Sequence, residues 1–295
     1  MKQIGSILVI LDKPKHAQQA LERARALAAS AGAHLHLASF CYLAMVDHQE
    51  VFDVHQRRTL KRSVIQERES WLRGLVLDAG LAAADVTAEV VWTDNIAGWV
   101  ADYCATQRID LVVKSVHHSQ TLIHTPLDWQ LLRTCPAPVY LTVATARKRT
   151  GNVLATIDLR HTDRKHQLLN LRVLEAAQRL LALGRGKLHC VHAVEAPAVI
   201  QGLDLGAPAR LEREFKARAR TLLEALLKPY DVPRARVHLP VGKVGAAVAA
   251  VAVRTRADVV VVGTSARRGL GAVLLGNSAE KILSRLECDV LAVHP

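Results

Sequence analysis

Ile7-Leu8-Val9-Ile10-Leu11-Asp12 and Val153-Leu154-Ala155-Thr156-Ile157-Asp158 are short apolar runs, each closed by an aspartate, and they lie about half a chain apart. The two runs are succeeded by the same elements in the same order. Each leads into an Ala- and Leu-rich helical pattern and then a strand with alternate histidines, His34-Leu35-His36-Leu37 or Leu188-His189-Cys190-Val191-His192. A long amphipathic helix comes next, with Leu60, Val64, Trp71, Leu72 and Leu75 near a helical period in one half. Leu211, Phe215, Leu222 and Leu226 take that part in the other. Strands are expected over Val86 to Trp92 and Arg236 to Val241, each followed by an Ala-rich helix. Ile109-Asp110-Leu111-Val112-Val113 then matches Ala257-Asp258-Val259-Val260-Val261-Val262, and each half closes on a cysteine and a last strand. A unit written twice at this spacing is a duplicated domain.

Strands alternating with helices call for parallel pairing through right-handed crossovers. The unbroken Val259 to Val262 run suits a strand covered on both faces. The chain is therefore expected to hold two tandem Rossmann-like α/β domains, residues 1–149 and 150–295. The basic stretch Thr145-Ala146-Arg147-Lys148-Arg149-Thr150-Gly151 reads as the linker.

Composition narrows the class. With 295 residues, half of them apolar and only 4% aromatic, the cores must be filled by Ala, Val and Leu. The longest apolar stretch, Val241 to Gly263, is interrupted by Lys243, Arg254, Arg256 and Asp258, so nothing matches the ~20 residues of a membrane span. The start runs directly into a strand pattern without the build of a secretion signal. Five cysteines without CxxC spacing indicate neither a disulfide framework nor a zinc knuckle, and a cytoplasmic location with reduced thiols is expected. The net charge of +12 is spread at helical spacing, as in Arg57, Arg58, Lys61, Arg62 and Arg210, Arg213, Lys216, Arg220. That reads first as a solvated helix face; without interleaved aromatics a nucleic-acid partner is not expected, although the charge permits nucleic acid or anionic lipid.

Ligands of open α/β sheets bind beyond the carboxyl ends of the strands, where strand order reverses. In the second half that edge carries Asp158, the end of His192-Ala193-Val194, and the Gly-rich run from Gly263 to Gly276-Asn277-Ser278. Helix N-terminal amides at Asn277 and Ser278 suit a phosphate, and Arg267 and Arg268 add positive charge. Asn277 or Ser278 serves equally well as a helix cap with Glu280 as its capping-box partner. Asp12 and Asp158 suit a ribose or a metal, or simply close the following turn.

The order of these parts resembles the universal stress proteins. The Asp-ending first strand, Val-Val-Gly-Thr, Gly-Asn-Ser-Ala-Glu and the terminal Cys-Asp-Val-Leu-Ala-Val-His-Pro carry the resemblance. Thr125-Pro126-Leu127-Asp128-Trp129-Gln130 onward is similar to the tandem, E-type subgroup. The resemblance implies two adenine-nucleotide-α-hydrolase-like domains, each a five-stranded, mainly parallel sheet with helices on both faces. It further implies an internal pseudo-dimer joined through the last strands, with a homodimer as a further assembly, and a role in survival under starvation, oxidative or DNA-damaging stress. Some members bind ATP through Gly-x2-Gly-x9-Gly-Ser/Thr, with the first-strand Asp and second-strand backbone holding the nucleoside. The matching positions are Asp158, Ala193, Gly263, Ala266, Gly276, Asn277 and Ser278, of which Ala266 and Asn277 depart from the motif. In the first half Lys114-Ser115-Val116-His117-His118 and Ile123-His124-Thr125 replace it, so a nucleotide is expected in the second domain.

Other signals weigh less. Gly184-Arg185-Gly186-Lys187 lacks the spacing and placement of a phosphate loop and reads as a helix stop. His117, His118 and His124 would make a metal site only with a further ligand. His189 and His192 stand at odd spacing on a strand and face opposite ways. No catalytic constellation is legible. A slow ATPase using Asp158 and Gly276 is one alternative. Another is a binder of ligands with apolar tails, resting on Ala266, Ala272, Val273 and Leu274.

Overall fold

The computed structural model describes residues 4–47, 52–116, 126–144, 148–161, 163–195, 207–264, 267–269, 272–274 and 277–295. They divide into two compact units, one running to Thr142 and the other from Val143. The expected linker residues 145–147 and the histidines at 117, 118 and 124 lie outside the described residues.

In the first unit the order is β1 (Ser6–Ile10), α1 (Gln19–Ala31), β2 (His34–Cys41), α2 (Val54–Asp78), β3 (Val86–Trp92), α3 (Ile96–Gln107), β4 (Leu111–Ser115), α4 (Pro126–Thr134) and β5 (Val139–Thr142). The strands lie in the order β3-β2-β1-β4-β5 and every pair is parallel. Strand order reverses between β1 and β4, which places the switch point beside the end of β1. Successive strand side chains point to opposite faces, yet Ile7, Leu8 and Val9 are all fully buried, so both faces of the sheet are covered.

The second unit repeats the plan with β6 (Val153–Thr156), α5 (Arg164–Ala182), β7 (Leu188–Val191), α6 (Ala207–Leu227), β8 (Val237–His238), α7 (Val244–Arg254) and β9 (Val259–Gly263). It closes with a short pair β10 (Arg267–Gly269) and β11 (Ala272–Leu274), then α8 (Asn277–Leu283) and β12 (Asp289–Val293). The sheet order β12-β9-β6-β7-β8 is again fully parallel. The antiparallel β10–β11 pair stands apart from this sheet.

Two expectations are corrected. The strand expected over Arg236 to Val241 shrinks to two residues, because Pro240 has no N–H for the ladder. Its carbonyl still accepts from Val194 N at 2.8 Å, and pairing resumes as a single Val194–Val241 bridge. On α6, Phe215 and Leu222 belong to the expected core-facing period, but both are exposed, and the packed stripe is Ala219, Leu223 and Leu227. The basic side chains do take the solvated face, with Arg58, Lys61, Arg62, Arg210 and Arg213 exposed.

Several conspicuous sequence features turn out to be structural. Gly184 follows the end of α5, and Gly186 backs onto Gly151 so closely that a Cβ on it would meet Gly151 O at 1.9 Å. Asp258, just before β9, and Asp289, the first residue of β12, anchor the chain that leads into the second unit rather than the ligand edge. Asp289, 1% exposed, holds Arg149 at 2.7 Å and accepts from Val143 N at 3.0 Å, while Asp258 accepts from Gly151 N. All five cysteines are free thiols. Among the described residues no helix is long and apolar enough to cross a membrane.

Candidate functional site

At the end of β6 the chain turns sharply, and the turn is built by Asp158 itself. Its carboxylate accepts from Arg160 N at 2.9 Å, the local bond by which Asp closes turns. The backbone on either side is clamped by one amide from α5. Asn170 Oδ1 accepts from Asp158 N at 3.0 Å and its Nδ2 donates to Asp158 O at 2.9 Å. Asn170 is buried, so these bonds also satisfy its own polar atoms.

The Asp158 side chain belongs to a charged rim. Arg160 donates to both of its oxygens, through Nε at 3.0 Å and Nη2 at 3.0 Å, and His161 Nδ1 stands 3.3 Å away. The same guanidinium donates through Nη1 to Glu195 Oε2 at 2.9 Å and through Nη2 to Ser278 Oγ at 2.8 Å. The other Glu195 oxygen accepts from Val244 N at 2.9 Å, capping the first residue of α7. Burial pushes the Asp158 carboxyl upward, but the side-chain and backbone hydrogen bonds and the charge of Arg160 outweigh it and hold it at about 2.

Beneath this rim the floor is apolar. Ile157, Val191, Val244, Val248, Val262 and Ile282 line the cleft, which lies at the switch point between β6 and β9. His192 sits at one side with Nδ1 3.0 Å from Ile157 O, and burial lowers its pKa. Gly263 ends β9 at the back, where the sequence suggests a close approach to a ligand. The group that approaches is Leu169, whose Cγ would stand 2.6 Å from a Cβ at this position. The glycine thus makes room for α5 to pack on the sheet.

Of the sequence-derived positions, Asp158, Ala193, Gly263 and Ser278 line this one cleft. Ala266, Gly276 and the Asn277 side chain lie outside the described residues, though Asn277 is the first residue of α8, as expected. Sequence reading passes over Arg160, Glu195 and Asn170. Arg160-His161, two residues past a strand-ending aspartate, is the available signal for the first of these.

The equivalent edge of the first unit is differently filled. Gln18 makes the amide clamp on Asp12, accepting from Asp12 N at 3.2 Å and donating to Asp12 O at 3.4 Å. Ser115 stands where β9 has Gly263, and its Oγ accepts from Ala20 N in the first turn of α1 at 3.0 Å. One residue earlier, Lys114 Nζ lies 2.7 Å from Asp128 of α4 and donates to Ser115 O at 2.8 Å. Lysine and aspartate are 6% and 0% exposed, so a buried ion pair crosses this edge. Among the described residues no group of three or more His, Cys, Asp or Glu side chains is arranged to hold a metal.

The profile described as "Universal stress protein family" matches residues 4–142 and 166–294. "Universal stress protein E" of Photorhabdus laumondii is 26% identical over 305 residues, spanning 100% of this chain and 96% of the relative. A protein of that name from Salmonella typhi is also 26% identical, with 100% and 96% covered. The crystal structure of a universal stress protein from Pseudomonas aeruginosa UCBPP-PA14 superimposes with a TM-score of 0.75 at 27% identity. It covers 99% of this chain and 94% of that one.

Proposed function

Since the chain belongs to the universal stress protein family, with one such domain in each half, we propose that it is a regulatory stress-response protein whose second unit binds a small phosphate-bearing ligand of the adenine-nucleotide class. A cytoplasmic setting goes with this reading. Support comes first from one observation, an apolar floor meeting a guanidinium-bearing rim at the strand-order switch. A flat base is suited to a floor of valine and isoleucine side chains, and a phosphate to a guanidinium held at the mouth.

The residues fit a nucleotide in part. Asp158, the position that would take a ribose, already has both carboxylate oxygens on Arg160. The side of Gly263 that a Cβ would occupy is taken by Leu169. Recognition is therefore assigned to the rim charges and the floor. The first unit is assigned a structural part, because Lys114 and Asp128 occupy the corresponding edge.

Calorimetry of ATP and AMP, with and without Mg²⁺, tests the reading on the intact protein and on Ser278→Trp. Ser278 is partly exposed at the cleft mouth, so an indole there obstructs the cleft without entering the core. Binding at one site per chain that is lost in Ser278→Trp is expected. Binding that survives the substitution would place the ligand elsewhere.

A further inference from the structure

Arg160 is shared by two carboxylates that are held in unequal ways. Asp158 is fixed, since it accepts from two nitrogens of the guanidinium and from the Arg160 backbone, and its own backbone is clamped by Asn170. Glu195 touches the guanidinium once, through Oε2, and its other oxygen is already engaged by Val244 N. The two pairs are about equally exposed, so screening weakens both alike, and its single contact makes the Glu195 pair the weak link of the rim. Among the described residues the guanidinium at the mouth is therefore already engaged by two carboxylates. An anionic ligand reaches Arg160 only by displacing one of its present partners.

From this asymmetry we propose that Glu195 is a built-in competitor for the ligand's phosphate. On binding, a phosphate oxygen takes the Arg160 Nη1 donor in place of Glu195 Oε2, while Asp158 keeps Arg160 in position and Glu195 keeps its bond to Val244 N. A phosphate carries more charge on its oxygens than a carboxylate, so the exchange favours it. The class selected is the phosphate ester, and the uncharged nucleoside gains nothing from the exchange. This inference rests on the ligand reading above and adds the group that receives the phosphate and the group that opposes it.

The test compares AMP and adenosine binding by calorimetry in the intact chain, in Glu195→Gln and in Arg160→Met. The Glu195→Gln side chain keeps an amide oxygen for Val244 N but loses the charge. The AMP-to-adenosine affinity ratio of this variant is expected to rise about tenfold, the size of one charge-assisted hydrogen bond. Arg160→Met is expected to lower that ratio by at least about tenfold. AMP bound by the intact chain with ratios unchanged in both variants would overturn the competitor role and leave the ligand reading standing. No AMP, ATP or inorganic phosphate bound by any of the three proteins would overturn both. Unfolding midpoints identify a variant that has lost its fold, and if Arg160→Met is one, Glu195→Gln alone decides.

Discussion

At the carboxyl end of the first strand, the two units share one device and differ in the chemistry beneath it. Gln18 holds the backbone of Asp12 as Asn170 holds that of Asp158, so the aspartate-closed turn is preserved through two different amides. Below the turn the chemistry diverges. The fourth residue of β4 is Lys114 and the third of α4 is Asp128, whereas the same places in β9 and α8 hold Val262 and Ala279. One edge is closed by a buried ion pair and the other keeps an apolar floor open to a charged rim.

The largest effect that tests this contrast comes from Lys114. Lys114→Met leaves the fully buried Asp128 without its lysine and should cost about 3–5 kcal/mol in chemical denaturation. The double variant Lys114→Val with Asp128→Ala, which installs the pair found in the second unit, should recover most of that loss. If the single variant proved as stable as the parent, the ion pair would not be the group that fills the first unit's edge.

At the back of the second cleft the contrast is between Gly263 and Ser115. Gly263→Val forces Leu169 aside and should destabilise by about 1–3 kcal/mol, with Leu169→Ala relieving part of it in the double variant. Equal costs with and without Leu169 would mean that the glycine serves something other than packing. The shared amide clamp should be worth about 1–2 kcal/mol in either unit, measured as the loss on Asn170→Ala or Gln18→Ala. The buried Asn170 is expected to lie at the upper end and the partly exposed Gln18 at the lower.

The legibility of each part in the sequence has a physical cause. The duplicated strand-helix order is visible because apolar runs and helical periods are set by burial, and burial repeats with the fold. Asp158, Ala193, Gly263 and Ser278 can be found because strand ends and helix starts mark the ligand edge of any such sheet. Glu195 cannot, since a charged residue in a loop has no period and its partner lies 35 residues away. Gly263 is legible as a point of close approach, but glycine does not say which atom approaches. Pro240 does announce its own effect, and a strand drawn through it is too long because the apolar pattern outweighs the missing N–H.

The smallest effect concerns acid. Asp158 is held at about 2, below an ordinary carboxyl, so the folded state releases this proton more readily than the unfolded chain. Its stabilisation is fully present above pH ~4 and is lost as pH falls from there toward 2. With the side chain 30% exposed, screening reduces the contribution to about 1 kcal/mol. Asp158→Asn should flatten the acid limb of the stability profile by that amount, and an unchanged limb would show that Arg160 does not hold the carboxylate in solution.

The difference between the units is tested most directly by hydrogen exchange, read by mass spectrometry with and without saturating AMP. Protection is expected in peptides covering 157–161 and 244–248, with none across 12–20 or 111–115. Equal protection at both edges, or protection at the first unit's edge alone, would contradict the assignment of the ligand site to the second unit.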